Sequence, residues 1–260
     1  MTSPLEAALR RDRAVVLAAL AILATLAWGW LLLGAGMDMD ARASPGGSMA
    51  GMGSSVGAAG WSPAYALLAI SMWWVMMVAM MLPAAAPVIL LYVRAAPRGA
   101  GGPATGHFLA GYLAIWGLFS LLAALLQVAL VNSGVLSQMT MSAGGKWVSA
   151  AILVAAGLYQ LSPLKQACLA HCRNAAGFLS RHYRPGRSGA LRLGVVHGAY
   201  CVGCCWLLMA LLFVGGVMNL AWIALLTLLV AAEKLLPGGR RVAQVAGLGF
   251  VAWGFATVLL

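Results

Sequence analysis

The chain predicts an all-α integral membrane protein of about seven transmembrane helices in one bundle, and three observations carry that prediction. Hydrophobic residues make up 63% of the chain and charged residues only 8%, where a soluble domain carries roughly 25% charged residues. Seven apolar runs span, or nearly span, a hydrocarbon core, which takes about 20 helical residues to cross. The basic residues gather in alternate connecting segments, so the net charge of +11 reflects topology and not nucleic acid.

The first run, 14–35, follows Arg10, Arg11 and Arg13. Its length and the lack of a small-residue cleavage site argue for a retained helix and against a cleaved signal. Residues 1–36 therefore form a basic segment and a first helix, and 37–61 form an outer Met/Gly/Ser loop that is flexible by composition. Residues 62–260 form a six-helix membrane core with runs at 62–93, 107–131, 147–163, 193–216, 219–236 and 242–260. Pro83 and Pro87 interrupt the first of these and free backbone carbonyls in it. The inner loop 164–192 is polar and basic, and is expected to hold a short helix over 163–180 along the membrane surface. A tight turn at 215–219 joins the two runs that follow.

With the N-terminus inside, fourteen of the sixteen Lys and Arg fall on the inner side, and only Arg42 and Lys146 fall outside. That bias sets the N-terminus in the cytoplasm and the C-terminus outside. No phosphate loop, dinucleotide glycine pattern or hydrolase elbow occurs. No catalytic residue is assigned, and the partners expected are the lipid bilayer and a metal, with no nucleic acid.

All five cysteines fall on the inner side of this topology. Thiols there are kept reduced, so grouped cysteines point to metal binding or redox chemistry and away from structural disulfides. Cys168-Leu-Ala-His171-Cys172 sets two thiols at i, i+4 and an imidazole at i+3 on one helical face. Cys201-Val-Gly-Cys204-Cys205 places a C-x-x-C just inside the membrane boundary, with His197 one turn nearer the cytoplasm. Thiolate and imidazole suit Cu(I), the ion favoured here, and Zn(II) as the second choice. A helix stripe alone rarely closes a site, so the expected centre is shared between the inner loop and the fifth run: Cys168, His171, Cys172, His197, Cys201, Cys204 and Cys205. Glu233, a carboxylate at an inner span end, is a supporting or proton-handling candidate. Lys234 points about 100° away from it on a helix, which makes His197 or an inner-loop arginine the expected partner.

The methionines extend the copper reading. Met37 and Met39, and Met139 and Met141, form M-x-M pairs in outer loops, where thioethers select Cu(I) without needing deprotonation. Met72, Met76 and Met80 form an i, i+4 stripe in the second run and are a candidate relay, although methionines also serve as packing in apolar helices.

Three segments together resemble a known family. They are Tyr159-Gln-Leu-Ser-Pro-Leu-Lys165-Gln-Ala-Cys168-Leu-Ala-His171-Cys172-Arg173, His197-Gly-Ala-Tyr200-Cys201-Val-Gly-Cys204-Cys205-Trp206, and the Gly-Gly-Val-Met-Asn219-Leu-Ala-Trp222 hairpin. With the Met-Met pairs between Trp73 and Pro87, they are similar to the bacterial predicted metal-binding integral membrane proteins, a domain of unknown function. The resemblance runs from about residue 62 to the C-terminus. Ala175 departs from it, standing where a proline is expected. The resemblance implies metal binding at the cysteines, His197 and Glu233 in a bacterial inner membrane, and no established reaction. The reading that results is copper uptake, delivery or sensing, with a copper chaperone or a membrane metalloenzyme as partner. Two alternatives stay open: a quinone-linked thiol–disulfide membrane oxidoreductase, and a non-catalytic membrane subunit with a structural metal.

Overall fold

The computed structural model describes residues 4–33, 63–95, 101–134 and 145–259, and every regular element among them is an α-helix. In order these are α1 (Pro4–Leu32), α2 (Pro63–Ala95), α3 (Gly101–Asn132), α4 (Lys146–Leu161) and α5 (Pro163–Arg173). They are followed by α6 (Ala175–His182), α7 (Gly186–Ala210), α8 (Leu212–Gly215), α9 (Leu220–Leu235) and α10 (Gly239–Leu259). Five stretches are long and apolar enough to cross a membrane: Ala14–Leu32, Ala66–Ala95, Ala104–Asn132, Gly186–Gly215 and Gly239–Leu259. A sixth is added if α4 and α5, bent by 63°, form one broken span. The run expected as a further full span, α9, has only 16 residues. That is about 24 Å of helix against a hydrocarbon thickness of about 30 Å.

The breaks have local causes. Pro163 opens α5, and its ring disfavours helical backbone at Ser162 before it, while Ser162 Oγ accepts from the Lys165 N–H at 3.2 Å as an N-cap. The expected single helix over 163–180 is two helices, because Asn174 stops α5 and caps α6, its Oδ1 accepting from the Gly177 N–H at 2.9 Å. Helix α7 starts directly after Pro185, well before the expected boundary at 193. The polar residues of 186–192 fit a helix as well as the apolar ones after them do. Cys201 to Cys205 consequently lie roughly 22–28 Å along α7 at 1.5 Å per residue, in the interior of the 186–215 stretch and not at its mouth. Gly216 takes φ +91 in the turn after α8, and Asn219 Oδ1 caps α9 at the Trp222 N–H, 3.2 Å away.

Packing is closest between α3 and α7 and between α4 and α10. Both pairs meet at glycines. A methyl group at Gly194 would run into the Phe108 carbonyl, and one at Gly157 would lie 2.6 Å from the Gly247 carbonyl oxygen. Helix α2 is the central element, touching α1, α3, α6 and α9. Pro83 inside it lacks the N–H that would bond the Ala79 carbonyl. Trp28 Nε1 of α1 donates to that carbonyl at 3.2 Å, which satisfies the freed acceptor and seats α1 on α2.

Candidate metal centre

Three helices bring sulfur, and a fourth a lysine, to one buried region beside α3. Helix α7 supplies Cys201, Cys204 and Cys205, each 1% exposed, and α2 supplies Met81, which is fully buried. Helix α5 supplies the half-buried Cys168 and Cys172, and α9 contributes Lys234. Cys172 Sγ lies 4.0 Å from Cys204 Sγ, and Cys205 Sγ lies 3.8 Å from Met81 Sδ. Lys234 Nζ is 2.9 Å from Cys201 Sγ and 4.0 Å from Met81 Sδ. Tyr112 of α3 closes the wall: its hydroxyl donates to the Met81 carbonyl at 3.2 Å and touches Cys201 Sγ at 3.2 Å. The Cys204 and Cys205 thiols each donate to the Cys201 carbonyl one turn back, at 3.1 and 2.8 Å. All five cysteines are free thiols. Cys168 packs over Gly203, where an added methyl carbon would be 3.1 Å from its sulfur.

Among the described residues, no three Cys, His, Asp or Glu side chains converge into a set that could hold an ion as they stand. The two thiol runs meet at the Cys172–Cys204 pair, which links the inner segment to α7. His171 lies apart: its ring stacks on Tyr200 at 4.3 Å, and its Nδ1 is 2.8 Å from the Ala167 carbonyl of its own helix. His197 is buried between Tyr112, 5.7 Å away, and Phe178, 5.2 Å away, and its Nδ1 has no hydrogen-bond partner. His182 stacks on Phe178, one turn back on α6, at 4.8 Å.

The charged residues correct the partner expected for Glu233. Glu233 pairs neither with His197 nor, through its carboxylate, with an arginine. Its Oε2 accepts from Lys165 Nζ at 2.6 Å and its Oε1 from Gln160 Nε2 at 2.7 Å, with all three residues at most 1% exposed. Arg173 instead donates to the backbone carbonyls of Glu233 and Pro237, at 3.1 and 2.8 Å, where a cation complements the exposed carbonyls of a helix C-terminus. Lys234, only 7% exposed, faces the sulfurs. Helix α9 is enclosed by α2, α5, α7 and α10, so faces 100° apart on it both meet protein.

Met72, Met76 and Met80 are buried along α2, and Met77 and Met81 lie beside them. Met81, not a member of the expected stripe, is the one that reaches the thiols. Met37, Met39, Met139 and Met141 lie outside the described residues. Residue reasoning also passed over Lys234, Lys165, Gln160 and Tyr112 as site groups. A lysine, a glutamate and a glutamine in or beside apolar runs were a readable signal, since such groups need partners at membrane depth. Tyr112 gave none.

Residues 70–257 match the family model PpoB2, described as a copper chaperone. That range holds every described residue of the sulfur region and excludes Met37 and Met39. No curated protein and no solved structure matches the chain.

Proposed function

The chain belongs to the PpoB2 copper-chaperone family, and from that premise we propose that it carries copper as Cu(I) within a membrane, on the sulfurs of Cys172 and Cys204. The 4.0 Å separation of those two sulfurs is the observation that supports this most. Two thiolates bonded to one ion at about 2.3 Å each stand roughly 3.8 to 4.6 Å apart, depending on the bond angle. Structural zinc requires four donors in a tetrahedron, whereas Cu(I) is content with two or three soft ones. Cys201, Cys205 and Met81 offer further sulfur in the same region.

The wider route extends the same chemistry. The chain crosses a bacterial inner membrane seven times with its N-terminus inside, α4–α5 and α9 completing the count. Met37, Met39, Met139 and Met141 collect Cu(I) on the outer side, and Met72, Met76 and Met80 lead it along α2 to Met81. Cys168 and His197 flank the thiols where copper is passed on, and the recipient is a copper chaperone or a membrane metalloenzyme.

The test is copper content. The full-length chain, purified in detergent and loaded anaerobically with Cu(I), should hold about one copper per chain, and Cys172→Ser/Cys204→Ser should lose it. Equal copper in both proteins removes the pair as the carrier. Rapid thiol blocking of the same samples addresses disulfide exchange, the second reading that the 4.0 Å contact favours: a Cys172–Cys204 disulfide in place of free thiols would support it.

A further inference from the structure

Lys234 is a charge that carriage of copper on sulfur does not by itself require. Its ammonium sits in the wall of the sulfur region, 2.9 Å from Cys201 Sγ and 4.0 Å from Met81 Sδ. The neighbouring carboxylate is not its partner, because Glu233 is held by Lys165 at 2.6 Å and that pair balances itself. Among the described residues no carboxylate pairs with Lys234. A buried ammonium without a counter-charge is costly, so Lys234 calls for a negative charge on the sulfur region that it faces. The sulfur region thus carries one fixed positive charge of its own.

We propose that Lys234 sets the valence of the ion this site accepts, favouring a soft monovalent cation over a soft divalent one. The inference rests on the reading of Cys172 and Cys204 as the copper-bearing sulfurs. With Cys201 a neutral thiol against Lys234, two thiolates holding a monovalent ion keep a single negative charge, which the ammonium of Lys234 cancels, and the filled site is neutral in apolar surroundings. The same two thiolates holding a divalent ion are already neutral, and Lys234 then faces that ion as a second, uncompensated cation. Softness alone does not make this choice, because divalent ions such as Zn(II) also take thiolates.

The experiment compares Ag(I) with Cd(II), two thiophilic ions of different charge, by competition titration of the detergent-solubilised full-length chain. The wild type should prefer Ag(I) over Cd(II) by at least tenfold more than a simple dithiol titrated alongside. Lys234→Met should lower that preference at least tenfold, and Lys234→Arg, which keeps the charge, should restore it. An unchanged preference in Lys234→Met, with Ag(I) still bound, overturns the valence role and leaves the copper reading standing. Failure of the wild type to bind Ag(I) or Cu(I) overturns the copper reading instead. Should Lys234→Met not be recovered folded, the wild type decides alone: a preference equal to that of the dithiol refutes the proposal.

Discussion

Replacing Glu233 by glutamine removes one negative charge while leaving the shape of the side chain almost unchanged. The glutamine amide can still meet Gln160, but Lys165, which is 0% exposed, loses the carboxylate that lies 2.6 Å from its ammonium. Breaking a buried ion pair from one side costs about 3–5 kcal/mol, because the charge left behind stays buried. For a chain of this size each kcal/mol lowers the melting temperature by about 2–4 °C, so Glu233→Gln should melt roughly 10 °C below wild type. Tryptophan fluorescence on heating the detergent-solubilised protein measures this directly. The double variant Lys165→Met/Glu233→Gln removes both charges and should recover most of the loss, since apolar replacement of a whole buried pair is close to neutral. A fall of less than about 2 °C, or a double variant no more stable than the single one, would refute the claim that this pair ties α5 to α9.

Two further variants test how the helices are seated. Gly157→Leu should drive α4 from α10, because even its Cβ would lie 2.6 Å from the Gly247 carbonyl oxygen, and size-exclusion chromatography should show aggregation or loss of the protein. Gly249→Leu on the same α10, with nothing within 4 Å of an added Cβ, is the control and should elute as wild type does. Trp28→Phe leaves the Ala79 carbonyl without the donor that replaces the N–H missing at Pro83. The expected loss is about 1–3 kcal/mol, read as earlier release of α1 in limited proteolysis with copper content unchanged; an unaltered cleavage rate contradicts it.

The amino-acid sequence by itself determined the all-helical architecture and the membrane-length apolar helices, because composition and run length decide those directly. It also determined the breaks at Pro163 and Asn219, which act through their own backbone and side chains on the residues next to them; the stop at Asn174, a local cap of the same kind, was not read in the single helix expected over 163–180. The two thiol runs stood out for the same local reason: sulfur ligands at helical spacing can be read within one segment. Apolar content did not reveal that α7 begins at Gly186, since a helix does not change its hydrogen bonding where its residues turn polar.

Only the tertiary structure decided which sulfurs meet. Helical periodicity assigns side chains to faces of one helix but says nothing of the rotation and depth at which that face meets another. It was those two quantities that brought Cys172 to Cys204 and Met81 to Cys205, and that left His171 against Tyr200. Residues 233 and 234 make the point most plainly. Their 100° separation was readable from the sequence, but the enclosure of α9 on several sides gave each charge a buried partner, Lys165 for Glu233 and the Cys201 sulfur for Lys234.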